Sequence, residues 1–143
     1  MIKRETIDRH LLDLAEKVRF LRTYKKYSLK DFEENLTIQF SAERAMQVAI
    51  QNVIDIGSHL LAAKLVNFVE DYKDVIVKLG QEEIIPKKFA DSIKKMASFR
   101  NILVHNYIDV DLIKLYDLIQ NNLDDFETFS NCVTKYLKNN LKL

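Results

Sequence analysis

Apolar residues recur every three or four positions along almost the whole chain, and this spacing is the feature that most restricts its fold. Residues 3–26 give the first example, whose apolar side consists of Ile7, Leu11, Leu14, Val18 and Leu21. Only 2 glycines and 1 proline occur in 143 residues, too few for a sheet protein with many tight turns. The spacing therefore predicts long amphipathic helices packed around one core.

Capping residues mark where the next helices begin. Ser28 and Asp31 have the spacing of a capping box, which predicts a short helix toward Asn35. A long helix then runs to about Leu65, and Ser41 can cap it unless the helix begins a few residues earlier. Further on, we expect a helix over residues 72–79 followed by Gly80 as its C′ residue, and Pro86 in the first turn of a helix that runs to about His105.

The C-terminal part of the chain predicts one final helix, which Asp109 or Asp111 starts after a break over residues 106–109. Its apolar stripe consists of Leu112, Leu115, Ile119, Leu123, Phe126 and Phe129. We therefore expect an all-α protein, an antiparallel bundle of four to five helices in a single domain over residues 1–143. The helices are apolar on more than one side, which favours a homodimer, although a well-filled monomer core explains the same pattern.

Composition excludes several classes of protein. The single cysteine, Cys132, rules out an intrachain disulfide and a cysteine-rich zinc site. No spacing of acidic or histidine residues suggests a metal site, so we predict neither metal nor cofactor. The N-terminal residues carry charges among their apolar positions, and no stretch approaches about 18 uncharged apolar residues. These features predict a cytoplasmic protein without a membrane span or a signal peptide.

One short segment combines residues suited to RNA cleavage. Residues 99–107 read FRNILVHNY, with Arg100 five positions before His105 and Tyr107 two positions further on. Chance gives such an Arg–His pair roughly 0.1 times per chain of this composition, and the tyrosine makes the coincidence about twenty times rarer. Histidine can remove a proton from a ribose 2′-hydroxyl or protonate the leaving oxygen at neutral pH. Arginine can hold the phosphate at two points and stabilise the transition state, so the chemistry requires no metal.

Helical geometry separates the two candidate catalytic residues. Five residues rotate by about 500°, which places Arg100 and His105 about 140° apart on a regular helix. Either the helix ends between them, as Asn106 suggests, or a second copy of the chain completes the site. A purely structural interpretation is that Arg100 offsets the helix dipole while His105 caps the last carbonyl groups.

Asp55 is a further candidate, because it lies mid-helix among apolar neighbours on the side that also carries Arg44 and Gln51. A buried acid needs a partner. Asp55 therefore either orients His105, pairs with Arg100, or bridges to Arg44 or another helix.

The sequence resembles the HepT-like branch of the HEPN superfamily over roughly residues 8–137. The resemblance rests on residues 43–60, ERAMQVAIQNVIDIGSHL, on FRNILVHNY and on the acidic helix that follows. The family motif is Arg, a polar residue, three mainly apolar residues, His, any residue and Tyr. Arg100, Asn101, His105 and Tyr107 match it position by position.

The resemblance implies a HEPN-type helical fold and a homodimer with the motif at the interface cleft. It implies a metal-independent endoribonuclease that cleaves mRNA or tRNA and acts as the toxin of a type VII toxin–antitoxin pair. Arg100 and His105 are then catalytic, and Asn101 helps to orient the site. The partner is a minimal nucleotidyltransferase (MNT) antitoxin, which neutralises the toxin by attaching AMP to Tyr107.

The distribution of charge and the function of the cleft each have two interpretations. The charge of +1 hides a basic segment at residues 87–100 and an acidic one at residues 109–127. The basic segment could guide RNA and the acidic one could meet a basic partner, or both could be ordinary solvated faces. The alternative function is a non-catalytic helical module that binds a nucleotide or a nucleotidyltransferase through the same cleft.

Overall fold

The computed structural model describes residues 2–66, 68–105 and 111–141, and for His105 and Leu141 it describes the backbone alone. These residues form helices and no strand, so the expected all-α class is confirmed. The helices are α1 (Arg4–Arg22), α2 (Leu29–Glu34), α3 (Leu36–Ala63), α4 (Tyr72–Gln81), α5 (Lys87–His105), α6 (Leu112–Asn121) and α7 (Leu123–Leu141). A 3₁₀ turn over Thr23–Lys26 follows α1. Four long helices and three short ones thus make up the bundle.

Side-chain caps set the start of α2 and α3. Ser28 and Asp31 form the predicted capping box, in which each side chain bonds the other residue's backbone N–H. Asn35 Oδ1 accepts the N–H of Ile38 at 3.1 Å and so caps α3. Ser41 therefore lies inside α3, and of the two expected starts the earlier one is confirmed.

Gly80 does not have the role that its sequence position predicts. It lies within α4, and the left-handed residue beyond the helix end is Glu83, with a φ of 58°. A Cβ on Gly80 would lie 2.8 Å from the Cβ of Ala90 in α5. The glycine is therefore explained by the close approach of α4 to α5, and the prediction of a C′ glycine is wrong.

The predicted final helix is divided into α6 and α7 at Asn122, whose backbone leaves the helical region with φ −125° and ψ 8°. The Asn122 side-chain amide donates to Asp125 Oδ2 at 3.2 Å, and the Asn122 carbonyl accepts the N–H of Asp125 at 3.1 Å. Asparagine favours such local bonds over a continuous helix. The prediction of one helix is wrong, although Leu115, Ile119 and the apolar residues after the break are buried as expected.

Helix α3 is the centre of the bundle, since it packs against α1, α2, α4, α5, α6 and α7. It runs antiparallel to α1: the backbone N–H of Lys3 donates to His59 Nε2 at 2.9 Å, and His10 Nδ1 lies 2.8 Å from Asn52 Oδ1. Asn52 is a buried polar residue whose amide also donates to Asp13. These bonds fix the register of α1 on α3, which in turn positions the face of α3 that meets α5. In the described part of the chain, no helix is both long enough and apolar enough to cross a membrane.

Candidate functional site

Three helices converge on the guanidinium group of Arg100. The residue lies on α5 and is half-buried. Its Nε donates to Gln51 Oε1 of α3 at 2.6 Å. Its guanidinium carbon lies 4.9 Å from the centre of the Tyr72 ring, at the first residue of α4. The side chain of the candidate phosphate-binding residue is thus held from two directions by other helices.

Asp55 belongs to the same cluster but does not touch Arg100. Its Oδ1 accepts a hydrogen bond from Gln51 Nε2 at 2.8 Å, so Gln51 stands between the carboxylate and the guanidinium. Arg44 is exposed and makes no bond to Asp55 among the described contacts. The observed partner of Asp55 is therefore Gln51, one turn earlier on α3. Among the described contacts, Asp55 makes neither the suggested direct pair with Arg100 nor the suggested bridge to Arg44.

Asn101 is exposed on α5, and its Oδ1 accepts from Arg100 Nη1 at 3.3 Å. That distance is beyond the usual range for an N–H to oxygen bond, so the contact restrains the guanidinium only weakly. Among the predicted site residues, the structure joins Arg100, Asp55 and Asn101 into one cluster.

Helix α5 continues without interruption through His105. The expectation that the helix ends between Arg100 and His105 is therefore wrong. Completion of the site by a second copy stays a prediction. Arg100 faces α3 and α4, whereas position 105 is rotated by about 140° from it. The side chain of His105, the whole of Tyr107 and the expected break at 106–109 lie outside the described residues.

Sequence reasoning missed two members of the cluster. Gln51 carried a usable signal, because it lies four residues before Asp55 on the polar side of α3 and such pairs adjoin on a helix. Tyr72 carried no such signal. Its ring faces a cation only because α4 folds back beside α5, which no local pattern encodes.

Other chemically suggestive groups lie away from this cluster. A cavity of about 840 Å³ lies between the 80–87 segment and α7, and none of Arg100, Gln51, Asp55 or Tyr72 lines it. Burial raises the pKa of the Cys132 thiol at that cavity, which keeps it protonated and poorly nucleophilic. Within the part of the chain that is described, no three His, Cys, Asp or Glu side chains gather in a way that could hold a metal ion.

The fold defines an all-α helical-bundle protein, and Arg100 and position 105 of the sequence motif both lie on its α5. Residues 7–133 match the family described as Ribonuclease HepT-like. The chain belongs to this family, and the match covers nearly the same residues as the resemblance seen in the sequence.

Two named relatives are nucleases. The mRNA nuclease HepT of Shewanella oneidensis is 29% identical over 71% of this chain and 77% of its own length. The tRNA nuclease HepT of Aphanizomenon flos-aquae is 26% identical over 82% of this chain and 80% of its own length. The family is thus represented by proteins named for two different RNA substrates.

Solved structures share the fold. The Bacillus subtilis cytosolic protein of unknown function YutE superimposes with a TM-score of 0.85 at 20% identity, covering 99% of this chain and 95% of that protein. The tri-AMPylated Shewanella oneidensis HEPN toxin, in complex with MNT antitoxin, superimposes with a TM-score of 0.80 at 24% identity, covering 90% of this chain and 96% of that toxin. At these identities the superpositions establish the common helical fold.

Proposed function

We propose that this chain is the endoribonuclease toxin of a HEPN/MNT toxin–antitoxin pair, with Arg100 and His105 as its catalytic residues. The proposal rests on one observation. Arg100 lies on the motif helix α5 of a chain that belongs to the Ribonuclease HepT-like family, and its guanidinium group is held by Gln51 of α3 and Tyr72 of α4. An arginine held in this way can receive a phosphate with little loss of side-chain entropy.

The proposed reaction is an internal transfer within RNA. His105 takes the proton of a ribose 2′-hydroxyl, and the 2′-oxygen forms a bond to the adjacent phosphorus. The bond from phosphorus to the 5′-oxygen breaks, and that oxygen leaves with a proton donated by a histidine. Arg100 balances the charge on the pentacoordinate phosphate. The products are a 2′,3′-cyclic phosphate and a free 5′-hydroxyl, and no step needs a metal ion.

The direct test is cleavage of RNA by the purified protein in the presence of EDTA. We expect wild-type protein to cut both a messenger transcript and total tRNA, or one of them, to ends that carry a cyclic phosphate. Arg100→Ala and His105→Ala are expected to lose at least about a hundredfold in rate, the usual effect of removing a proton-transfer or charge-stabilising group. Equal cleavage by all three proteins would overturn the assignment of Arg100 and His105 as catalytic residues. Binding to a nucleotidyltransferase without any cleavage of RNA would favour the non-catalytic alternative.

We further propose that the active form is a homodimer in which Arg100 of one protomer works with His105 of the other. The uninterrupted α5 supports this arrangement, since it turns the two positions away from each other. Two exposed apolar side chains lie close to the cluster in sequence. Ile102 is two residues after Arg100, and Phe68 is four residues before Tyr72. Such side chains are suited to burial against a second copy.

Mixing two inactive variants tests the shared site. Arg100→Ala protein still supplies His105, and His105→Ala protein still supplies Arg100. After unfolding and joint refolding, mixed dimers hold one complete pair, so about a quarter of wild-type activity is expected on random reassociation. Mixed dimers that form and remain inactive would show that the site is not divided between protomers in this way.

The proposed antitoxin is a nucleotidyltransferase that attaches AMP to Tyr107. The phenol oxygen attacks the α-phosphorus of ATP, and pyrophosphate leaves. Each AMP adds negative charge two residues from His105, which repels an RNA phosphate. Mass spectrometry after co-expression should find one or more added AMP groups on wild-type protein and none on Tyr107→Phe, and the modified protein should no longer cleave RNA. Modification that maps to another residue would overturn this assignment.

A further inference from the structure

We propose that Gln51 and Tyr72 are positioning residues that fix the Arg100 guanidinium for phosphate binding, with Asp55 fixing Gln51. The inference rests on the proposed function, because it assigns roles around the same arginine. It adds two residues on helices other than the motif helix, one on α3 and one at the start of α4.

Asp55 sets the orientation of the Gln51 amide. The amide has one acceptor, Oε1, and one donor group, Nε2. An ionised Asp55 carboxylate can only accept, so it draws Nε2 toward itself at 2.8 Å. Oε1 is then presented to Arg100 Nε at 2.6 Å. With the amide reversed, two donors would face each other at Arg100 and two acceptors would face each other at Asp55, so Asp55 selects the arrangement that holds the arginine.

Gln51, which lies between Asp55 and Arg100, is a neutral residue and leaves most of the guanidinium group free. If a carboxylate bonded Arg100 directly, an incoming phosphate would have to compete with it for the guanidinium. Gln51 is neutral and occupies only Nε. Of the five N–H groups of an arginine, the described bonds use one on Nε and one on Nη1, the second of them long. Three remain, enough for two parallel bonds to phosphate oxygens.

The Tyr72 ring restrains the guanidinium group from a second direction. It lies under the guanidinium, 4.9 Å from ring centre to guanidinium carbon. A cation over an aromatic face is attracted to it and keeps its N–H edges free. Gln51 therefore restrains the guanidinium along an edge while Tyr72 restrains it across a face. Together they define a plane in which the free N–H groups can meet a phosphate.

The experiment measures kcat/KM on a short RNA for matched pairs of variants. Gln51→Met keeps the length of the side chain but removes both hydrogen bonds, and a loss of about tenfold or more is expected for a bond to a charged group. Gln47→Met is the control, because Gln47 is also half-buried and lies one turn earlier on α3, outside the cluster. Tyr72→Leu should lose about threefold to tenfold through the missing ring face, and Tyr72→Phe should restore activity close to wild type.

Chemical rescue separates a positioning role from a structural one. Arg100→Ala should regain part of its activity with added guanidinium ion at concentrations too low to unfold the protein. That rescue should be lost when Gln51→Met or Tyr72→Leu is added to Arg100→Ala, because nothing then holds the free cation. A helix-packing role alone predicts lower thermal stability without any change in rescue.

The outcomes distinguish this inference from the function on which it rests. If wild-type protein cleaves no RNA, both fail. If wild type and Arg100→Ala cleave equally, the arginine assignment fails. If Arg100→Ala is inactive while Gln51→Met and Tyr72→Leu match wild type, the positioning inference alone is overturned. Should Gln51→Met not fold, the comparison of Tyr72→Leu with Tyr72→Phe decides the question.

Discussion

His59 shows how a single side chain can make stability depend on pH. Its Nε2 accepts the backbone N–H of Lys3 at 2.9 Å and so ties the start of α1 to α3. An imidazole nitrogen accepts a hydrogen bond only when it carries no proton. Burial is the main cause that lowers the pKa of His59 below its ordinary 6.5. The positive charges nearby, of which Lys3 has the largest effect, lower it further. The folded protein therefore favours the neutral ring, and protonation works against this contact.

The resulting prediction concerns unfolding by urea at several pH values between about 5.5 and 7.5. Below the ordinary pKa of histidine the unfolded chain binds more protons than the folded one, so the free energy of unfolding should fall as the pH falls through this range. His59→Gln keeps an acceptor that does not titrate and should flatten the dependence. The lowered pKa values of Asp13 and Asp74 act in a separate window, below their ordinary 3.8. Equal slopes for wild type and His59→Gln would contradict the assignment.

At the level of the elements, α3 and α4 end in the same way. After α3, the N–H of Val66 bonds the carbonyl of Leu61 and that of Leu65 bonds Ala62. After α4, Ile84 bonds Leu79 and Glu83 bonds Gly80. This pattern is the Schellman motif, in which the residue beyond the helix adopts a positive φ. Leu65 and Glu83 hold that position with φ values of 62° and 58°, where glycine is the residue without steric cost.

Leu65→Gly is therefore expected to stabilise the protein by about 1 kcal/mol, because it removes the left-handed strain of a side chain. Leu65 is 83% exposed, so the change removes little buried apolar surface. Ala62→Gly supplies the control three residues earlier, at an exposed position inside α3, where glycine should destabilise by about 1 kcal/mol. Denaturant unfolding of both variants should give opposite signs. A loss of stability in both would show that Leu65 contributes more by packing than its strain costs.

On the scale of the whole molecule, charge is segregated although the total is only +1. The outer side of α5 carries Lys87, Lys88, Lys94 and Lys95, three of them exposed. Lys87 and position 105 are eighteen residues apart, about five full helical turns, and therefore lie on the same side of α5. This basic row ends at the proposed catalytic histidine and is suited to the phosphates of an RNA strand.

The prediction is that this row contributes to RNA binding through counterion release. Replacing Lys87, Lys88, Lys94 and Lys95 by Gln should raise KM and lessen the slope of log KM against log salt concentration by about 3, with kcat nearly unchanged. A second variant with Lys25, Lys26, Lys30 and Lys138 replaced by Gln has the same total charge, but its changes are on other, exposed surfaces. The two variants should differ. Equal effects would mean that only total charge matters, as expected for ordinary solvated faces.

Local physics made much of the architecture predictable from the sequence. Apolar spacing identified α1, α3 and α5 and the helical character of the C-terminal part. The Ser28 capping box was visible because caps depend on residues only three positions apart. Predictions failed where a choice depended on a neighbouring helix or on competition within a turn. Gly80 was assigned to a helix end, yet it is needed for the approach of α5, and the break at Asn122 was not foreseen.

By itself the sequence determined an all-helical protein with the HepT-like motif, because periodicity and motif are properties of residues close together along the chain. The tertiary structure alone decided what surrounds the arginine. Gln51 and Tyr72 lie 49 and 28 positions before Arg100 and meet it only because α3 and α4 pack against α5. It also decided that α5 runs on through His105, a choice between continuing and ending that the local pattern left open.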